Sequence, residues 1–383
     1  MSKKELYVIL GVSAIYMLRM SGVFMILPVL TAHMFLLQGV NGCLLGIAIG
    51  IYGFMQVIFQ IPCGLISDKI GYKSVIIGGL VLFAIGSEIV AITQHIWGLI
   101  IGRALQGSGA ISGSLIAFLL DSVKSQHHMR AVAFIGINFG ITFFISIIFG
   151  PIITDRYGLY GLFHGITILA ILAIILTYFI IPTLSNNFSK NNETFFIIFN
   201  KIKKIVSNIQ LIRLSFNIFF IHIILILNFI VMPKVLINLG FSANVHWKVY
   251  SIIMLISSIV VLSYILYLEK KHCVTHILFK CMIILLMAEL LMCMSAHFVF
   301  NFLFGMQLFF IVFSLIESIL PAILHKISSH TYRSTTISIY SVGQFLGLGC
   351  GGILGGFLLE LGGIWLVLCC AVVISTICVF LNK

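Results

Sequence analysis

The sequence predicts an all-α integral membrane protein with twelve transmembrane helices in two six-helix halves. Three observations predict it. The first is composition: of 383 residues, 61% are hydrophobic and 8% charged, with a mean hydropathy of +1.21, whereas soluble domains carry about 25% charged residues. In water such a chain would expose more apolar surface than a soluble fold tolerates. The second is a series of apolar runs near the ~20 residues that a helix needs to cross hydrocarbon, where a helix satisfies its own backbone polar groups. The third is the gathering of Lys and Arg into alternate connections.

The elements follow in order. Span 1, over 6–31, starts like a secretory signal (MSKKELYVIL). However, Arg19 interrupts its apolar core and no A-x-A site follows, so it is read as a retained helix. Spans 2 to 6 cover 42–66, 75–93, 97–120, 131–153 and 161–182. A polar linker, 183–212, divides the halves 1–182 and 213–383. Within it, Thr194–Ser207 reads either as an amphipathic helix on the inner leaflet or as a solvated connection. Spans 7 to 12 cover 213–238, 248–268, 277–294, 298–322, 336–358 and 364–381. With Lys383 directly after the last run, no soluble C-terminal domain is expected.

The formal net charge is +12. Its distribution argues against a nucleic-acid partner, because no basic run is interleaved with aromatics. Lys3, Lys4, Lys69, Lys73, Lys124, Arg130, the lysines of the linker, Lys270, Lys271, Lys326, Arg333 and Lys383 fall on one side. Little beyond Arg156 and Lys248 falls on the other. The bias places both termini in the cytoplasm. The nine cysteines lie almost wholly in apolar runs, form no CxxC, and read as small buried hydrophobes. His127–His128 reads as loop. No metal or cofactor is expected.

Three stretches carry more specific signals. GLISDKIGYK, Gly64 to Lys73, joins spans 2 and 3. Gly64 allows close helix approach, Gly71 a turn with positive φ, and Asp68 is an anion suited to a helix N-terminus. In span 4, LIIGRALQGSGA places Arg103 inside an apolar run, a functional candidate by default. Snorkelling to the outer headgroups is the alternative. Span 5 contains GINFGITFFISIIFGPIIT, with a Gly150–Pro151 kink.

These stretches resemble signatures of the major facilitator superfamily. Gly64, Asp68, Gly71 and Lys73 match its loop between helices 2 and 3. Arg103, Gln106, Gly107 and Gly109 match its helix 4 pattern. Gly140, Gly150 and Pro151 resemble the element of its drug/proton antiporter branch. The resemblance implies the twelve-helix major facilitator fold, with helices 1, 4, 7 and 10 around a central cavity. Those helices carry Arg19, Arg103, His222 and Glu317, with Gln56, Gln60, Asn138 and Gln344 on their neighbours. It also implies that Asp68 meets the start of span 11, near Ser334–Ile337, in one transport state.

Glu317 and His222 can carry a proton. For Glu317 an inner-gate ion pair with Lys326 is the alternative. Glu88 and Glu289, at similar depths in spans 3 and 9, are expected to pack against neighbouring helices. The glycine run from Gly347 is expected to pack and bend helices, since no P-loop Lys-Ser/Thr accompanies it.

A 6 + 6 organisation is the pattern of secondary transporters. No paired catalytic carboxylates, metal cluster or nucleophile motif points to an enzyme. The resulting expectation is a monomeric, multi-pass transporter of the bacterial inner membrane, exporting a small hydrophobic or cationic compound in exchange for protons. Uptake by symport or facilitated diffusion, and a non-transporting receptor, are the alternatives. Asp68→Asn is expected to lower transport without abolishing insertion, and unchanged transport at equal expression would contradict the latch.

Overall fold

The structure, a computed structural model, describes residues 2–33, 37–124, 127–182, 208–271, 275–294, 298–327 and 333–383. The candidate helix Thr194–Ser207 lies outside them. Among these residues, ten helices are long and apolar enough to cross a membrane. Two of these spans, Phe134–Ile180 and Ile339–Leu381, are 47 and 43 residues long. The helices that contain them, His128–Ile180 and Arg333–Leu381, are broken at Gly158 (φ 72°) and Gly363 (φ 66°). Both glycines adopt a conformation that side chains disfavour. Each long helix is therefore two membrane-length spans joined at a glycine, and ten helices give the twelve crossings. Spans 5–6 and 11–12 occupy the same place in the two halves.

Span 1 is Lys3–Phe24, extended by a short helix Leu27–Leu30 that Pro28 starts. Ser2 caps it: the Glu5 amide donates to Ser2 Oγ, and the Ser2 amide donates to the Glu5 carboxylate at 2.6 Å. Span 2, Gly42–Ile70, is capped by Asn41, whose Oδ1 accepts from the Leu44 amide. It runs on through most of the charged connection. Gly71 alone turns the chain, with φ 91°, before span 3, Tyr72–Ile92. The connection is thus tighter than a loop from Gly64 to Lys73.

Span 4 is discontinuous, Ile96–Ser108 and Ser112–Ser122, with Gly109–Ile111 outside either piece. Spans 7 to 10 are Ile209–Asn238, His246–Lys271, Thr275–Met294 and Val299–Ile327.

The two halves meet most closely along spans 2 and 11. Gly42, Gly46, Gly50 and Gly53 face Gly349, Gly352 and Gly356, so that backbone lies on backbone. A Cβ built on Gly352 would stand 2.7 Å from Gly50 Cα. At the far end of this seam, the Cys43 amide donates to Glu360 Oε2 at 2.7 Å, and Thr31 Oγ1 donates to the Phe229 carbonyl at 3.0 Å. The seam lies at the end of the bundle away from Gly71. Near mid-depth the halves touch again through the rings of Phe143 and Phe313.

Gly64 does not serve close helix approach in this conformation: nothing lies within 4 Å of where its Cβ would be. Gly140 is equally open, whereas a Cβ on Gly150 would meet Met25 of span 1. Gly352→Leu is expected to cost about 1–3 kcal/mol through overpacking. Gly64→Ala should be neutral or slightly stabilising, since it adds helix propensity into open space. Thermal unfolding of the two variants in detergent compares them directly.

Candidate functional site

Arg19 is fully buried in span 1. Its Nη1 donates to Ser112 Oγ at 3.0 Å. Its Nη2 donates to Gln56 Oε1 at 2.7 Å and to the Gly109 carbonyl at 2.9 Å. Two of these acceptors exist because span 4 breaks: Gly109 leaves its carbonyl free of the helix ladder, and Ser112 opens the second piece. Arg19 therefore pins spans 1, 2 and 4 together through neutral oxygens. No carboxylate pairs with it among the described residues. The structure does not bring Arg19 to Glu317.

Arg103, on the first piece of span 4, is 2% exposed, so it does not snorkel to the headgroups. Its Nη1 donates to Gln106 Oε1 at 2.7 Å, the i, i+3 neighbour that its motif supplies. Gln106 Nε2 donates in turn to Ser87 Oγ of span 3 at 2.8 Å, and Ser87 donates to the Phe83 carbonyl. The guanidinium lies over the Tyr52 ring, 4.6 Å from its centroid. Its Nε has no partner. Gly107 lets span 4 approach the Tyr52 backbone of span 2, and Gly109 approaches Gly79 of span 3.

In the second half, His222 of span 7 and Glu317 of span 10 come together, with Nε2 3.5 Å from Oε1. Gln344 Nε2 of span 11 lies 3.4 Å from Glu317 Oε2. Both acid–base side chains are largely buried, 4% and 12% exposed. His222 Nδ1 lies 3.0 Å from the Ile218 carbonyl, an acceptor only, so Nδ1 carries a hydrogen. The other nitrogen then faces the carboxyl with one proton to share: either Nε2–H meets carboxylate, or neutral imidazole meets the acid. Removing that proton leaves a buried carboxylate opposed to a lone pair. Among the described residues no Lys or Arg pairs with Glu317; the Lys326 side chain lies outside them.

The remaining sequence candidates are placed as follows. Lys73 Nζ donates to the Tyr178 carbonyl at 2.8 Å and lies 4.3 Å from that ring's centroid, a contact within the first half. The side chains of Asp68, Ser334, Thr335 and Ile337 lie outside the described residues, and Thr336 is buried. Asn138 is buried with Nδ2 unpartnered, as is Gln60 Oε1. Pro151 lies inside its helix.

Glu88 and Glu289 share a depth but not an environment. Glu88 is 43% exposed and pairs with His164 Nδ1 at 3.1 Å. Glu289 is fully buried and accepts from Asn228 Nδ2 at 2.8 Å. Sequence reasoning missed Ser112, Ser87, Tyr52 and Glu360. The spacing of Gly42, Gly46, Gly50 and Gly53 was the available signal for the seam that Glu360 closes. No group of three or more His, Cys, Asp or Glu among the described residues could hold a metal.

Residues 12–316 match the sequence profile of the Major Facilitator Superfamily. Inner membrane transport protein YajR of Escherichia coli (strain K12) is 43% identical over 348 residues, 91% of this chain and 76% of that protein. A transporter of Buchnera aphidicola subsp. Acyrthosiphon pisum (strain APS) is 39% identical over 344 residues, 90% of this chain and 88% of that one. Among solved structures, a D-xylose–proton symporter superposes with a TM-score of 0.77 at 14% identity, covering 97% of each chain. At that identity the last likeness concerns the fold.

Arg19→Lys is expected to cost about 2–3 kcal/mol, since one ammonium cannot reach three acceptors spread as a guanidinium fork requires and leaves buried oxygens unsatisfied. Thermal unfolding in detergent reads this directly, and an unchanged midpoint would contradict the pinning role.

Proposed function

The chain belongs to the Major Facilitator Superfamily and is a secondary transporter, and from that premise we propose that it exports a small, largely apolar compound in exchange for protons carried at Glu317 and His222. One observation carries the proton assignment. A buried carboxyl faces an imidazole nitrogen at 3.5 Å while the other ring nitrogen is held by the Ile218 carbonyl. The pair is neutral overall with one proton and costly without it, because a desolvated carboxylate would lack a counter-charge.

The pair also joins spans 7 and 10, with Gln344 of span 11 beside it. Proton loss therefore strains three helices of one half at once. Span 11 is also one side of the glycine seam, which gives the strain a route to the contact between halves.

The Lys and Arg bias supports placing the Gly71 end in the cytoplasm. The seam of spans 2 and 11 is then the external gate, closed in this conformation. Rocking of the halves about mid-depth opens it, and the contacts to break are the glycine seam, Glu360 to the Cys43 amide, and Thr31 to the Phe229 carbonyl. The export direction is supported by the resemblance of the Gly150–Pro151 element to that of the drug/proton antiporter branch.

Proteoliposomes with an internal pH dye test the reading. Compound-dependent proton movement is expected from the wild type. It should be lost in Glu317→Gln and reduced at least about tenfold in His222→Ala, the scale of a proton-transfer group. Substrate flux without proton movement would sink the coupling. Acid-driven accumulation of the compound would reverse the direction.

A further inference from the structure

We propose that Glu289 and Asn228 form a second proton-binding site, apart from the Glu317–His222 pair, and that the proton held there clamps span 9 to span 7. Both side chains are buried, 0% and 1% exposed. Asn228 Nδ2 donates to Glu289 Oε1 at 2.8 Å. Two oxygens remain, Glu289 Oε2 and Asn228 Oδ1, and neither has a donor. With the carboxyl ionised both are acceptors, so the pair would bury a charge and two unsatisfied oxygens together. One proton on Oε2 removes all three costs. It neutralises the carboxyl, turns Oε2 into a donor and gives Oδ1 its partner. Acid and amide then share two hydrogen bonds in a closed ring.

The protein builds the same ring elsewhere from two amides. Asn217 Nδ2 of span 7 donates to Asn382 Oδ1 at 2.9 Å, and Asn382 Nδ2 donates to Asn217 Oδ1 at 2.7 Å. At Asn228–Glu289 the second hydrogen has to be the bound proton.

The surroundings offer no counter-charge in its place. Span 10 sets Gly305 against this stretch, its Cβ position 3.1 Å from the Ala288 carbonyl. Span 12 sets Cys369 there, with Sγ 3.8 Å from Sγ of Cys293, one turn beyond Glu289. Those two thiols are the titratable neighbours. Arg213 and Lys234 of span 7 make no ion pair with Glu289. A desolvated carboxyl without a cation holds its proton.

The site is separate from the coupling pair. Gly305, level with Ala288, and Glu317 are ~18 Å apart along span 10 at 1.5 Å per residue. Ile226, Phe229 and Ile230 turn toward the first half, while Asn228 turns away from it to span 9. Asn228 directly precedes Phe229, whose carbonyl accepts from Thr31 of the first half. The proton thus supports from behind a helix that the other half grips in front.

Infrared spectroscopy of the full chain in detergent tests this. The spectrum of the wild type minus that of Glu289→Gln, at neutral pH, is expected to show the carbonyl stretch of a protonated carboxyl. Carboxylate stretches in its place would overturn the proposal. Asn228→Ala removes the amide, and the acid band should move to the higher frequency of an unpaired carboxyl. An unmoved band would overturn the pairing, and this variant keeps the test decisive if Glu289→Gln fails to fold. Thermal unfolding gives a second readout. The folded protein binds this proton and the unfolded chain at neutral pH does not, so the stability it contributes falls as pH rises. From about pH 5 to about pH 9, the wild-type midpoint should fall relative to that of Glu289→Gln by at least about 2 °C. A difference that does not change with pH would overturn the proposal. No substrate or proton gradient enters these measurements, so their failure is distinct from failure of proton coupling at Glu317 and His222.

Discussion

A guanidinium inside hydrocarbon has to be surrounded by oxygen, and at Arg19 the protein meets that demand by breaking a helix. The interruption of span 4 at Gly109–Ile111 frees one carbonyl and brings Ser112 to the start of a new helical piece, while Gln56 supplies the third acceptor from span 2. Within the break the Gly109 carbonyl also accepts from the Ile111 amide, so the guanidinium is its second donor. The first half acquires a rigid junction of three helices, against which Arg103 and Tyr52 are set.

The two halves divide the electrostatic work. The first buries Arg19 and Arg103, with no carboxylate paired to either among the described residues. The second buries Glu317 and Glu289, which accept neutral or titratable donors: His222, Gln344 and Asn228. The charge of an arginine does not change with pH. A carboxyl–imidazole pair suits coupling, since its proton is exchangeable. The glycine seam between spans 2 and 11 joins these two chemistries mechanically. Backbone–backbone contact has no side chains to re-pack, so it is either made or broken.

Much of the fold was readable from the sequence because hydrocarbon imposes length. The apolar runs marked the spans to within a few residues, and Gly71 was recognisable as the turn. Arg103 and Gln106 were recognisable as a motif, and their three-residue spacing on a helix brings them together. What escaped the sequence depends on how helices rotate against one another. Nothing local says that Gly46 faces Gly352, or that His222 meets Glu317 across spans 7 and 10. Glu88 and Glu289 occupy matching depths, yet one borders His164 at the surface and the other is enclosed beside Asn228. The break in span 4 was also hidden, because LIIGRALQGSGA followed by ISGSLIAFLL reads as one apolar run.

The bends at Gly158 and Gly363 bear on how the chain is made. Each joins two membrane-length helices within a single helical stretch, so little hydrophilic connection has to be carried across the bilayer on its own. Spans 5–6 and 11–12 are therefore suited to enter the bilayer as paired hairpins during synthesis, each closing a half as it completes. The same joint thus recurs at the same place in both halves, although Glu88 and Glu289, at matching depths, meet different partners.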